Sequence, residues 1–111
     1  MSEKLRDPHK AVDYIIANAS KFAAAKAQRV YLEEFRKSKK ALLMAESTAE
    51  AANAREQYAY AHPEYLQLLD GLKAAIEIEE KLKWDIIAAQ ARVEIWRTEQ
   101  ANNRAQERAT A

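Results

Sequence analysis

His62-Pro63-Glu64-Tyr65-Leu66-Gln67-Leu68-Leu69-Asp70-Gly71-Leu72 holds the only glycine and one of the two prolines in 111 residues. The residue before a proline is driven out of the α region, and Pro63 then suits the first turn of a new helix, where its missing N–H costs nothing. Glu64 in that first turn complements the helix dipole. His62-Pro63 therefore reads as the turn of a hairpin. On one side of it, Ser20 to Ala61 contains neither glycine nor proline. On the other, only Gly71 interrupts helix-compatible sequence as far as Thr110. Globular domains carry about 7% glycine and about 5% proline, largely for turns. A chain this poor in both makes few turns and must consist of long helices.

Beyond the turn, the spacing predicts a helix over 63–106. Leu68, Leu72, Ala75, Glu79, Leu82, Ile86, Ala89, Val93 and Trp96 keep a 4-3-4-3 rhythm, the seam of a coiled coil. Gly71 inside that helix costs about 1 kcal/mol against alanine, which a close approach by a neighbouring backbone or ring would justify. The polar tail 107–111 is expected to fray. Before the turn, Asp7-Pro8 reads as an N-cap followed by proline at the first helical position. A short helix over 8–18 follows, with Val12, Ile15 and Ile16 on one side. Asn18 or Ser20 then breaks the chain, and a long helix over 20–60 carries Leu32, Phe35, Leu42, Ala45, Ala49, Ala52 and Ala59 at three- and four-residue steps. Ser47-Thr48-Ala49-Glu50 matches a capping box. Continuity through it is the expectation, with a bend near 47 as the alternative. The fold class is thus all-α: one domain over 1–111, a long antiparallel helical hairpin with a short N-terminal helix.

Hydrophobic residues make up 49% of the chain, but much of that is alanine, and only nine residues are aromatic. Alanine favours helix yet buries little area. Two such helices alone are marginal, so self-association is expected: a homodimer, as a four-helix bundle or coiled coil, with Phe35, Leu82, Ile86, Val93 and Trp96 at the interface. No run of about 18 apolar residues offers a membrane span. Met1 to Lys10 is charged and lacks a secretory apolar core, and cysteine is absent. These features point to the cytoplasm.

The net charge of +1 hides an asymmetry. Residues 21–40 carry seven cations against Glu33 and Glu34, residues 41–80 two against eight acids, and residues 81–111 six against four. Folding at His62-Pro63 pairs residues whose numbers sum to about 123. Arg92 then faces Glu33 and Glu34, Glu79 comes near Lys40, and acids gather at the closed end while the open end becomes basic.

That basic end is the main candidate site. Arg36-Lys37-Ser38-Lys39-Lys40, with Lys26 and Arg29, could contact nucleic-acid phosphates, helped by Arg92 and Arg97; the plainer account is a solvated helix face matched by acids of the second helix. Tyr31, Phe35, Tyr58, Tyr60, Tyr65, Trp84 and Trp96 could stack on bases, but their helical spacing fits packing better. Glu33, Glu34, Glu77, Glu79, Glu80 and Asp85 invite a carboxylate-bridged metal. The Glu-x-x-His pattern of such sites is missing, however, and His9 and His62 sit at element ends. No metal or cofactor is expected. There is no phosphate loop, no nucleophile–base pair and no catalytic signature, so no enzymatic activity is expected.

Three stretches resemble small proteins encoded in the early regions of temperate tailed phages, near single-strand annealing proteins and exonucleases. They are Arg29-Val-Tyr-Leu-Glu-Glu-Phe-Arg-Lys-Ser-Lys-Lys-Ala-Leu-Leu-Met44, Tyr58-Ala-Tyr-Ala-His-Pro-Glu-Tyr65 and Ala88-Ala-Gln-Ala-Arg-Val-Glu-Ile-Trp-Arg97, with Asn102-Asn103-Arg104 after them. Together they cover most of residues 15–105. The resemblance implies a phage or prophage origin, a bacterial cytoplasmic location and a setting of DNA recombination or replication. It supplies no catalytic residues. Set beside the basic helical end, that context points to a non-enzymatic accessory protein that binds nucleic acid, single-stranded DNA included, or a recombination protein through that end. The alternatives are a module that blocks a host nuclease or defence complex, with the acidic zone Glu46 to Glu80 mimicking nucleic acid, and a structural or chaperone-like bundle.

Overall fold

The computed structural model describes residues 7–110, all of whose regular structure is helical. Three helices follow one another: α1 (Pro8–Glu46), α2 (Ala52–Ala61) and α3 (Pro63–Thr110). The chain is an all-α helical hairpin, and its packing divides it into two units. One contains Ala23–Glu80; the other combines the chain up to Phe22 with Lys81 onward.

The helix starts follow local chemistry. Asp7 caps α1: the His9 and Lys10 N–H groups donate to its Oδ1 at 2.9 and 3.4 Å, and Pro8 takes the first position. The break expected at Asn18 or Ser20 does not occur, and α1 runs unbroken through both. Asn18 is accommodated because its Nδ2 donates to the Tyr14 carbonyl at 2.8 Å, one turn back on the same helix.

The expected continuity through Ser47 fails instead. α1 stops at Glu46, and residues 47–51 are non-helical. The hydroxyl oxygen of Ser47 accepts the Ala49 N–H at 3.2 Å, competing with the helical ladder. Arg55 Nε donates to the Ala49 carbonyl at 2.6 Å and ties the loop to α2. No capping box forms: α2 begins after Ala51, without a side-chain cap. The single residue His62, extended at φ −67° and ψ 136°, then separates α2 from α3. Its Nδ1 accepts the Glu64 N–H at 3.1 Å, so the imidazole caps α3. The reversal therefore occupies 47–62, with His62-Pro63 as its second corner. The far end differs as well: α3 is helical through Thr110, and the fraying expected from 107 is not seen up to that residue.

This longer reversal moves the register. In the unit Ala23–Glu80, Arg29 pairs with Glu79 and Lys39 with Glu64, sums of 108 and 103 in place of about 123. α1 ends at Glu46 because α2 takes up ten of the residues that the hairpin arm was expected to contain. Falling numbers on α1 match rising numbers on α3, so the two helices run antiparallel here. Leu43, Ala59 and Tyr65, one from each helix, form the core, with Met44 and Leu69 against it. Further along α3, Leu72, Ala75 and Glu79 are buried at steps of three and four, as the rhythm predicts. On the part of α1 in this unit the buried residue is Leu43, whereas Leu42 is 58% exposed.

The other unit is packed differently. Among its described residues only Ala11 and Ala89 are buried. Ile15, Phe22, Leu82, Ile86 and Val93 are half-buried. Tyr14 of α1 lies close enough to Asp85 of α3 for each to shift the other's pKa.

Candidate functional site

The predicted cations fall in different units: Lys26, Arg29, Arg36, Lys37 and Lys40 in Ala23–Glu80, Arg92 and Arg97 in the other. The basic block from Ala23 onward thus packs with the acidic block 41–80. Residues 23–80 hold eight cations against ten acids. That balance removes the net positive field a polyanion would seek.

The pairing is specific. Arg29 Nε donates to Glu79 Oε2 at 2.6 Å and Nη2 to Oε1 at 2.9 Å, a two-pronged bond between α1 and α3. Its Nη1 reaches Glu33 at 3.1 Å. The Glu79 bond, and after desolvation the Glu33 bond, hold the guanidinium more firmly charged than usual. Glu79 is only 8% exposed, so Arg29 supplies the partner its carboxylate needs inside the seam. This replaces the expected approach of Glu79 to Lys40. Lys40 Nζ instead lies 4.7 Å from the centre of the Tyr60 ring and 3.3 Å from Glu56. Tyr60 first, then Glu56, raises the Lys40 pKa.

Lys39, also part of the basic cluster, reaches Glu64 at 2.9 Å and lowers that carboxyl below its ordinary range. Lys37 is 71% exposed and pairs only with Glu34, a neighbour on its own helix, at 3.3 Å. Glu33 is held by Arg29 and Glu34 by Lys37.

In the second unit, Arg97 Nη1 pairs with Glu94 at 2.8 Å, exposed on both sides. Trp96, Arg97 and Arg104 border an open cavity of about 510 Å³. Lys81 reaches Asp85 at 2.7 Å, and that contact, reinforced by the Tyr14 hydroxyl, lowers the Asp85 pKa. Burial first, then the Asp85 charge, raises the Tyr14 pKa. No group of three or more metal-ligating side chains occurs among the described residues. None of their helices is long and apolar enough to cross a membrane.

Of the predicted interface residues, Leu82, Ile86 and Val93 are half-buried within the chain itself, because the 4-3 rhythm marks the seam toward the chain's own packing. Phe35 is half-buried and stacks on Tyr31 at 5.9 Å between ring centres. Trp96 alone of the five remains exposed, at 38%. Gly71 has open space where a Cβ would sit, so the expected close neighbour is absent. Phe35, Lys39, Glu64 and Leu68 border a cavity of about 340 Å³ beside it.

No protein family, no curated protein and no solved structure matches this chain.

Large apolar side chains on the outer faces were not anticipated. Val12, Ile16, Trp84, Ile87 and Ile95 are all exposed in the unit whose buried described residues are alanines. Their signal was present: a second set of three- and four-residue steps runs beside the one that was read.

Proposed function

We propose that this protein is a non-enzymatic accessory of phage DNA recombination or replication, acting in the bacterial cytoplasm as a homo-oligomer. It binds a recombination protein or nucleic acid through its helical surface. The setting rests on the resemblance of the Arg29–Met44, Tyr58–Tyr65 and Ala88–Arg97 stretches. The binding role is carried by one observation: bulky apolar side chains stand in solvent while the interior is largely alanine. Soluble monomers seldom expose contiguous apolar surface unless something docks on it.

The partnering of Arg29 and Lys40 with acids favours a protein over nucleic acid at residues 26–40. Trp96, Arg97 and Arg104 around one open cavity favour a second, nucleic-acid arm on α3, since an aromatic ring beside arginines suits a base and its phosphate. Mimicry of nucleic acid by the acidic zone is less favoured, because Glu56, Glu64 and Glu79 are engaged with cations of the same chain.

Fluorescence anisotropy with labelled single- and double-stranded DNA at low salt, beside titration with a purified annealing protein, separates the arms. Saturable binding to the annealing protein, insensitive to reversal of Lys37, supports the protein arm. DNA binding that weakens with salt and is lost on charge reversal at Arg97 and Arg104 supports the other. Absence of both leaves a structural bundle and refutes the proposal.

A further inference from the structure

Between Lys81 and Thr98, α3 carries two apolar stripes. The inner one, Leu82, Ile86, Ala89 and Val93, is buried or half-buried. The outer one, Trp84, Ala88, Ala91 and Ile95, repeats the same 4-3-4 spacing and is exposed throughout, with Ile87 beside it. A 4-3 spacing is what a helix needs to keep contact with another helix. Trp84 is 60% and Ile95 47% exposed in the single chain.

The outer stripe is also symmetric. Residue numbers 84 with 95, and 88 with 91, share one midpoint, between Ala89 and Gln90. An identical helix laid antiparallel about a two-fold axis through that midpoint places Trp84 over Ile95 and Ala88 over Ala91, twice each. Two-fold interfaces are self-complementary in this way. The small alanines at the centre allow close approach, and the larger Trp84 and Ile95 fill the ends. Beyond the stripe, Glu77, Lys81, Thr98 and Asn102 continue the positions with polar residues, which bounds the contact and fixes its centre. The unit's own interior gives the reason for such docking, since among its described residues it buries only Ala11 and Ala89.

We propose that Trp84, Ala88, Ala91 and Ile95 form the docking surface for the same stripe of a second copy of this chain, antiparallel about the Ala89–Gln90 midpoint. The inference deepens the self-association in the proposed function and is independent of its nucleic-acid arm.

The chain has no cysteine, so single cysteines report cleanly. In the antiparallel pair, W84C of one copy meets I95C of the other. Two copies of residue 84 lie about 16 Å apart along the axis, far beyond disulfide reach. Oxidising a mixture of W84C and I95C proteins is expected to give the mixed disulfide dimer, and each protein alone little or none. Dimers formed by each protein alone would indicate a parallel pair and overturn the inference, as would no cross-link in the mixture. Independently, light scattering over a concentration series is expected to show the mass of the intact chain approaching twice 12.6 kDa. Ala88→Glu should return it to 12.6 kDa while circular dichroism shows unchanged helix, because residue 88 is exposed in the single chain. A wild-type protein that stays monomeric, or an Ala88→Glu variant that stays dimeric, refutes it. DNA or annealing-protein titrations do not affect any of these outcomes.

Discussion

The two units of this hairpin are built from the same helices by different means. In Ala23–Glu80 the interior holds Leu43, Tyr65 and Leu72, and ion pairs from Arg29, Lys39 and Lys40 join the helices. In the other unit the buried residues are two alanines, and Trp84, Ile87, Ile95 and Ile16 face outward. Apolar burial stabilises by about 25 cal/mol per Å², and alanine offers little area to bury. The first unit therefore carries its stability inside the chain. The second leaves much of its apolar surface exposed.

Perturbations of the first unit should therefore dominate the stability of the isolated chain. Leu43→Ala removes the largest fully buried side chain and should cost about 3 kcal/mol, within the range for buried leucine truncations, in denaturant unfolding monitored by circular dichroism. A loss below about 1 kcal/mol would mean that the three-helix core contributes little.

The next largest effect is expected at the seam ion pair. Arg29→Ala leaves the Glu79 carboxylate buried without its cross-helix partner, whereas replacing both residues by leucine removes the charge along with its partner. Thermal melts should rank Arg29→Ala well below the Arg29→Leu/Glu79→Leu double variant. Equal melting temperatures would show that the pair is solvated in practice.

Gly71→Ala should act in the opposite direction. With open space at the Cβ position and helical neighbours on both sides, alanine should stabilise by about 0.5–1 kcal/mol, by reducing the freedom of the unfolded chain and suiting the helix. A loss of stability would indicate that a neighbour closes on Gly71.

The smallest effect concerns acid. The carboxyl groups of Glu64 and Asp85 titrate below their ordinary range, because Lys39 and Lys81 favour the charged form. The stability they confer is complete above the unfolded carboxylate range near pH 4 and is lost as pH falls through the lower folded values. Glu64→Gln and Asp85→Asn should therefore lower stability at neutral pH and make it less sensitive to pH below about 4. Unchanged acid profiles would show that these exposed pairs are screened away.

Much of this architecture was legible beforehand. The Asp7-Pro8 start, the helix from Pro63 and the inner rhythm from Leu68 through Val93 all follow from local chemistry: a cap, a fixed proline φ, and spacing that matches the helix period. The position of the reversal was not. Ser47-Thr48-Ala49-Glu50 contains no glycine or proline, and its residues fit a helix as well as a break. What decides between them is tertiary: Arg55 holds the Ala49 carbonyl while Leu43, Ala59 and Tyr65 close together. That one misplacement shifted every cross-helix pair and put the cations of residues 23–40 beside the wrong partners. Pairing of Arg29 with Glu79 depends on register and so could not be read from spacing alone. The outer stripe of α3 was readable, but the inner stripe on the same helix masked it, since apolar residues on two sides blur any single face.

Amide hydrogen exchange followed over a range of protein concentrations tests the contrast between the units most directly. If the second unit is completed by another copy, protection of residues 84–95 should rise with concentration while that of 29–43 and 65–79 stays constant. Protection of 84–95 that is independent of concentration and equal to that of the Leu43 core would contradict it.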